Sequence, residues 1–264
     1  MRSPLLAALA DRVLVADGAM GTMLQAADLT IDDFQGHEGC NEILNVTRPD
    51  VVGGVHGAYL AAGVDCVSTN TFGANLSNLG DYDLAHRIRE LAAAGAAIAR
   101  TAADTWSTPQ RPRFVLGSMG PGTKLPTLGQ LPYAALRDAY QECAAGLLDG
   151  GADALIVETC QDLLQAKAAV VGAKRAMTAA GRQAPVICHV TVETTGTMLL
   201  GTEIGAALTA LEPLGIDLIG LNCATGPAEM SEHLRYLAAH ARVPLSVMPN
   251  AGLPQLTSAG AAYP

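Results

Sequence analysis

The segment GLNCATGP, residues 220–227, places one thiol between an apolar run and a turn. Residues 216–221 read as a buried strand and Gly226-Pro227 as a break, so Cys223 stands where a strand hands over to a loop. A thiol there has two uses. Packed, it is a small apolar side chain, since free cysteine is among the most buried residue types. Ionised, it is a nucleophile or a metal ligand, because the thiolate and not the thiol does that chemistry. Other polar residues fall at the ends of apolar runs: Asp17, Thr69-Asn70, Ser118, Glu158, Thr191, Asn222 and Asn250. Carboxylates, hydroxyls and amides of this kind form a binding site if the fold brings them to one face. Otherwise they mark only where polarity resumes after a strand.

What would gather them is set by the elements between them. AGVDCVSTN from Ala62, GGADALIVET from Gly150 and LGIDLIGLN from Leu214 share one pattern. Each follows a helix-like stretch, with Gly63, Gly151 or Gly215 placed to end that helix in the left-handed region. Each continues through an aspartate into a short apolar run rich in β-branched residues, the mark of a buried parallel strand. Seven strands are predicted on this basis, at 13–16, 65–68, 114–117, 154–157, 186–190, 218–221 and 245–248. Helical spacing occupies 49–62, 81–105, 132–148 and 162–180, with Thr47 and Asp50 set to cap the first of these reciprocally. Strand and helix alternating along the whole length define a parallel sheet with helices outside it. No linker divides the chain, so residues 1–264 are expected to form a single domain.

Composition narrows the function. With half of its 264 residues hydrophobic, the chain can build a sizeable core without disulfides. A net charge of −9 and a pI near 5.0, with no cluster of Lys or Arg, argue against a nucleic-acid partner. No run reaches the roughly 18 apolar residues a membrane span needs. The apolar segment 4–10 is interrupted by Asp11-Arg12 and reads as a short helix, not a targeting signal. The six cysteines, Cys40, Cys66, Cys143, Cys160, Cys188 and Cys223, show no CxxC and no tight pairing, which points to reduced thiols and a cytoplasmic location. His56, His86, His233 and His240 fall in helical stretches and read as surface or helix-face residues.

An open doubly wound sheet and a closed (βα)8 barrel of the TIM type both fit the alternation. The first strand-to-helix turn is DGAMGT and lacks G-x-G-x-x-G, so the dinucleotide fingerprint is absent. GSMGPG at 117–122 runs into Thr-Lys-Leu-Pro and suits a loop better than a phosphate cradle. Polar residues at the C-terminal ends of nearly all the strands favour the barrel, which builds its site on that face. An eighth strand is missing, since only AGLPQLTSAGAAYP follows Asn250. The expectation is a TIM-type barrel truncated at about seven of eight βα units. Its two outermost strands would be exposed edges, which invites association.

Several stretches together resemble one family. They are DGAMGTMLQ, GCNEILNVTRPDVV, STNTFGAN, GSMGPGTKLPTLG, VETCQDLLQAK, TVETTGTMLLGTEI, GLNCATGP and PNAGLP. The chain resembles, over essentially its whole length, the homocysteine-binding barrel of cobalamin-dependent methionine synthases, within the homocysteine S-methyltransferase family. That resemblance implies a methyltransferase that activates homocysteine as a zinc thiolate. The methyl group would pass from 5-methyltetrahydrofolate through methylcobalamin carried on a separate domain, so the implied partners are homocysteine and the cobalamin- and folate-binding domains.

By the same resemblance Cys223 matches the first of three cysteine zinc ligands, and Asp17, Gly18 and Glu158 meet the substrate's amino group. Asn222 and Asn250 flank the presumed metal. The other two ligands belong to a Gly-Gly-Cys-Cys element that this sequence does not contain. One thiolate does not hold zinc tightly, so this fragment is expected to be inactive alone. Cys66, Cys160 and Cys188 read as packing residues, and Cys188 and His189, as strand neighbours, must point to opposite faces. Two other readings stay open: a binding or scaffold remnant without chemistry, and a stand-alone homocysteine methyltransferase using a sulfonium donor.

Overall fold

A computed structural model describes residues 3–252 together with the backbone of 255–257 and 260–262. Six strands form one all-parallel sheet in sequential order: β1 (Cys66–Ser68), β2 (Phe114–Met119), β3 (Ala154–Cys160), β4 (Val186–Val190), β5 (Leu218–Asn222) and β6 (Leu245–Met248). Sequential order and helical crossovers give the curled half of a barrel, with helices on its outer side. The helices Pro49–Ala62, Ile88–Trp106, Tyr133–Asp149 and Leu163–Ala180 pack against one another in sequence around that side. Their boundaries fall within a residue or two of the periodicity, except that 81–87 is a separate turn before Ile88.

The alternation of side chains divides the core in two. Val67, Val115, Leu155, Val157, Val186, Cys188, Val190, Ile219 and Leu221 face outward into the layer of helices. Cys66, Phe114, Leu116, Ala154, Ile156, Ile187 and Leu218 face inward and are closed from below by the helix Pro4–Asp11 through Leu5. Gly63, Gly151 and Gly215 have φ of 102°, 97° and 72°, the left-handed stops that the repeated pattern requires.

Three expectations need correction. The first strand, 13–16, is reduced to one bridge between Ala16 and Cys66, so six strands and not seven make the sheet. Among the described residues it has no neighbour on its far side, and its outward residues Val13 and Val15 are 82% and 55% exposed. Thr47 does not cap the helix Pro49–Ala62: its hydroxyl bonds the Ile43 carbonyl, while Asp50 pairs with Arg48. His56 is fully buried. Residues after Asn250 form an antiparallel pair, β7 (Gln255–Thr257) and β8 (Gly260–Ala262), separate from the main sheet, and the last two residues of PNAGLP lie outside the described residues.

Candidate active site

The inward rows end in polar residues. Phe114 and Leu116 lead to Ser118, Ala154 and Ile156 to Glu158, and Leu218 and Gly220 to Asn222. All three side chains therefore emerge at the C-terminal mouth of the half-barrel, and they are bonded to one another. Ser118 Oγ donates to Glu158 Oε1 at 2.6 Å, and Asn222 Nδ2 donates to Glu158 Oε2 at 3.1 Å. Asn222 also donates to Thr159 Oγ1 at 2.8 Å and accepts the Thr159 amide through Oδ1 at 2.8 Å. Thr159 Oγ1 lies 3.5 Å from Cys223 Sγ. Since that oxygen already accepts from Asn222, its own proton is available to the sulfur. One hydrogen-bonded chain thus runs from Ser118 through Glu158, Asn222 and Thr159 to the thiol.

The backbone is bent to achieve this. Thr159, Cys223 and Ala224 have φ of 56°, 59° and 56°. The left-handed region is unusual for non-glycine residues and costly for a β-branched one, and such strain gathers at functional sites. β3 breaks register with β4 between Val157 and Cys160, where Thr159 turns. The Cys223 amide donates to the Met248 carbonyl at 3.2 Å and the Thr191 hydroxyl donates to the Asn222 carbonyl at 3.0 Å, so flanking strands hold the bend.

Across the mouth, Asp17 accepts the Ser68 amide at 2.8 Å. Burial pushes its carboxyl up to about 7, the Ser68 hydrogen bond opposes this, and nearby Glu158 adds to it. Burial likewise raises Glu158, against the hydrogen bond from Ser118. No ion pair among the described residues involves either carboxylate. The Cys223 thiol is raised by burial, lowered by Thr159 and raised again by Glu158. It is the one cysteine of the six that is not buried.

The structure therefore brings together Asp17, Glu158, Asn222 and Cys223. Gly18 lies against Tyr59, whose hydroxyl would sit 2.9 Å from an added Cβ and donates to the Ala19 carbonyl at 3.0 Å. Asn250 reaches the site through its backbone, its amide donating to the Thr225 carbonyl at 3.2 Å. Thr159 and Ser68 were not singled out from sequence; the Glu-Thr pair at a strand end was the available signal for the first. Cys160 and Cys188 face the helices, and Cys66 is packed inside.

Cys223 is the cysteine available at this mouth, and no group of three His, Cys, Asp or Glu residues converges among the described residues. These residues do not by themselves fit a closed zinc site, which needs at least three protein ligands.

Parallel half-barrel architecture with carboxylates, an amide and a thiol gathered at the C-terminal strand ends is the arrangement of an α/β barrel of the TIM type, whose site lies on that face. The comparisons agree. The family model described as homocysteine S-methyltransferase matches residues 14–264, and the chain belongs to that family. It is 72% identical over 260 residues to methionine synthase of Mycobacterium tuberculosis (strain ATCC 25618 / H37Rv) and 70% identical to methionine synthase of Mycobacterium leprae (strain TN). Each match covers 98% of this chain and 22% of the relative's length. The crystal structure of the homocysteine methyltransferase MmuM from Escherichia coli, in metallated form, superposes with a TM-score of 0.74 at 25% identity, covering 94% of this chain and 88% of that one. No helix among the described residues is long and apolar enough to cross a membrane.

Proposed function

We propose that the chain is the homocysteine-binding unit of a methionine synthase, and that its C-terminal mouth holds homocysteine for transfer of a methyl group to sulfur. The observation that supports this most is a pair of half-buried carboxylates, Asp17 and Glu158, with no cation partner among the described residues, beside a single accessible thiol. A buried carboxylate without a cation is held unfavourably, and an α-ammonium group placed between the two would supply the missing charge. Ser118 and Asn222 aim Glu158, and the Ser68 amide aims Asp17, so the carboxylates are oriented before the ligand arrives. Cys223 stands at the other end of the same hydrogen-bonded chain, where its thiol faces the sulfur end of the site.

A thiolate, and not a thiol, must attack the methyl carbon. Its sulfur forms the new S–C bond while the donor leaves with the electrons of the old one. The 72% identity to a methionine synthase supports methylcobalamin as donor, carried like the folate site by other parts of a longer protein. Calorimetric titration of the purified chain with L-homocysteine tests the reading. Saturable binding, stronger than that of L-alanine or L-serine, is expected, and equal affinity for all three would overturn it. In the full-length protein, methyl transfer from methylcobalamin but not from S-methylmethionine is expected.

A further inference from the structure

The loop STNTFGAN, residues 68–75, follows β1 and carries two buried threonines, Thr69 and Thr71. Their hydroxyls form a closed ring with one residue of the neighbouring strand. The Ser118 amide donates to Thr69 Oγ1 at 2.9 Å, and Thr71 Oγ1 donates to the Ser118 carbonyl at 2.7 Å. The two hydroxyl oxygens are 2.6 Å apart. Since Thr71 gives its only proton to the carbonyl, Thr69 is the donor between them. Each hydroxyl therefore donates once and accepts once, and both backbone polar groups of Ser118 are held.

The loop side of this ring is braced in turn. Asn70, between the threonines, accepts from Asn45 Nδ2 through its carbonyl at 2.8 Å. Its own Nδ2 donates to Asn45 Oδ1 at 3.0 Å and to the Asn41 carbonyl at 2.8 Å. The Thr71 methyl group would stand 2.7 Å from a Cβ added at Gly95, so the helix Ile88–Trp106 closes over it. Buried polar groups are costly unless bonded, and a fully satisfied network rigidifies what it joins.

What it joins is the residue that aims Glu158. Ser118 Oγ donates to Glu158 Oε1 at 2.6 Å, and among the described residues no other group donates to that oxygen. A serine hydroxyl points where its backbone and one staggered torsion send it, so fixing the Ser118 backbone fixes the donor. At the start of the same loop, the Ser68 amide donates to Asp17 at 2.8 Å. Residues 68–71 thus hold both carboxylates, one directly and one through Ser118.

We propose that Thr71, closing the ring with Thr69, is a positioning residue of this site. Through Ser118 it sets the place of Glu158, and with it the preference of the pocket for a ligand that carries an ammonium group. The proposal rests on the homocysteine reading above and adds to it the device that holds the ammonium's partner in place.

The test compares L-homocysteine with 4-sulfanylbutanoate, which keeps the thiol and the carboxylate and lacks the amino group. Calorimetric titration of the wild type is expected to show tighter binding of homocysteine. Thr71→Val keeps the shape and removes the hydroxyl. It should weaken homocysteine by about fivefold, the worth of one ordinary hydrogen bond, and leave 4-sulfanylbutanoate within about twofold. Thr71→Ser, which restores the hydroxyl, should recover most of the loss. Equal weakening of both ligands, no weakening, or no recovery with serine overturns the proposal and leaves the homocysteine reading intact. A wild type that does not favour homocysteine overturns both.

A second readout serves if the valine variant does not fold. In 15N-labelled wild-type protein, homocysteine should shift the Ser118 amide signal, because the ammonium draws on Glu158 and the ring transmits the pull. 4-Sulfanylbutanoate should leave that signal in place. An unchanged signal at saturating homocysteine overturns the proposal, and so do equal shifts with both ligands.

Discussion

Two carboxylate sites sit at opposite ends of the same sheet. Below β1, Asp65 is 1% exposed and is met by three arginines: Arg12 at 2.7 Å, Arg111 at 3.4 Å and Arg113 at 3.5 Å. Its pKa is drawn down to about 2, chiefly by the hydrogen bonds from Arg12 and against the cost of burial. At the other end Asp17 and Glu158 have hydrogen-bond donors but, among the described residues, no cation, and burial raises both. A carboxylate whose partners are built in stabilises the fold. One whose counter-charge is missing costs stability, and under the proposed function it is kept for a ligand. In barrels of this type the bottom face carries stability and the top face carries chemistry, and the three carboxylates differ in the way that division requires.

The largest effect should come from the bottom site. Asp65→Asn leaves the nearly buried Arg113 guanidinium without its counter-charge, a loss of about 3 kcal/mol and a Tm lower by about 8 °C for a domain of this size. Calorimetry checks it, and homocysteine affinity should not change. At the top, Glu158→Gln should do the reverse. Binding should weaken about thirtyfold, roughly the 2 kcal/mol of a charge-assisted hydrogen bond, while Tm moves little. If the top-face change unfolds the protein and the bottom-face change abolishes binding, the division between the faces is wrong.

Acidity sharpens the same contrast, with opposite signs. The depressed value of Asp65 gives stability that is full above its unfolded pKa of about 3.9 and is lost as pH falls through about 2. Asp17 is raised, so the folded chain holds that proton more tightly than the unfolded one. Its contribution is gained as pH falls from about 7 towards 3.9 and lost as pH rises through about 7. Denaturant titrations at pH 5.5 and 8 should therefore show lower stability at pH 8. Asp17→Asn should flatten that difference, and Asp65→Asn should leave it in place.

Much of this was legible in the residues themselves. The aspartate before each apolar run and the glycine before that located β1, β3 and β5, because a left-handed stop and a β-branched run have few other uses. Asp17, Glu158, Asn222 and Cys223 could be grouped because they end strands that a barrel must gather. The role of Thr159 was hidden, since it depends on a left-handed backbone and a register break that its identity does not announce. His56 was misread although Val52 and Leu60, four residues to either side, share its helix face and its burial. The first strand differs for a tertiary reason: 13–16 has the right residues, but among the described residues its pairing is the single bridge of Ala16 to Cys66.

The smallest expected effect on stability tests the top face most directly. Cys223 is partly accessible, whereas Cys40, Cys66, Cys143, Cys160 and Cys188 are buried, so iodoacetamide on the folded chain should label position 223 alone. Burial raises the thiols of Cys40, Cys66, Cys143 and Cys188 to about 11 or 12, which removes the reactive thiolate as well as the access. Cys223→Ala should abolish labelling and change stability by less than about 1 kcal/mol, because the side chain fills no closed core. Homocysteine should protect Cys223 from the reagent in the wild type, since the ligand sulfur would lie against it, and Glu158→Gln should remove that protection at the same ligand concentration. Protection that survives Glu158→Gln would mean that the carboxylate does not hold the ligand, and the top face would then be a thiol site alone.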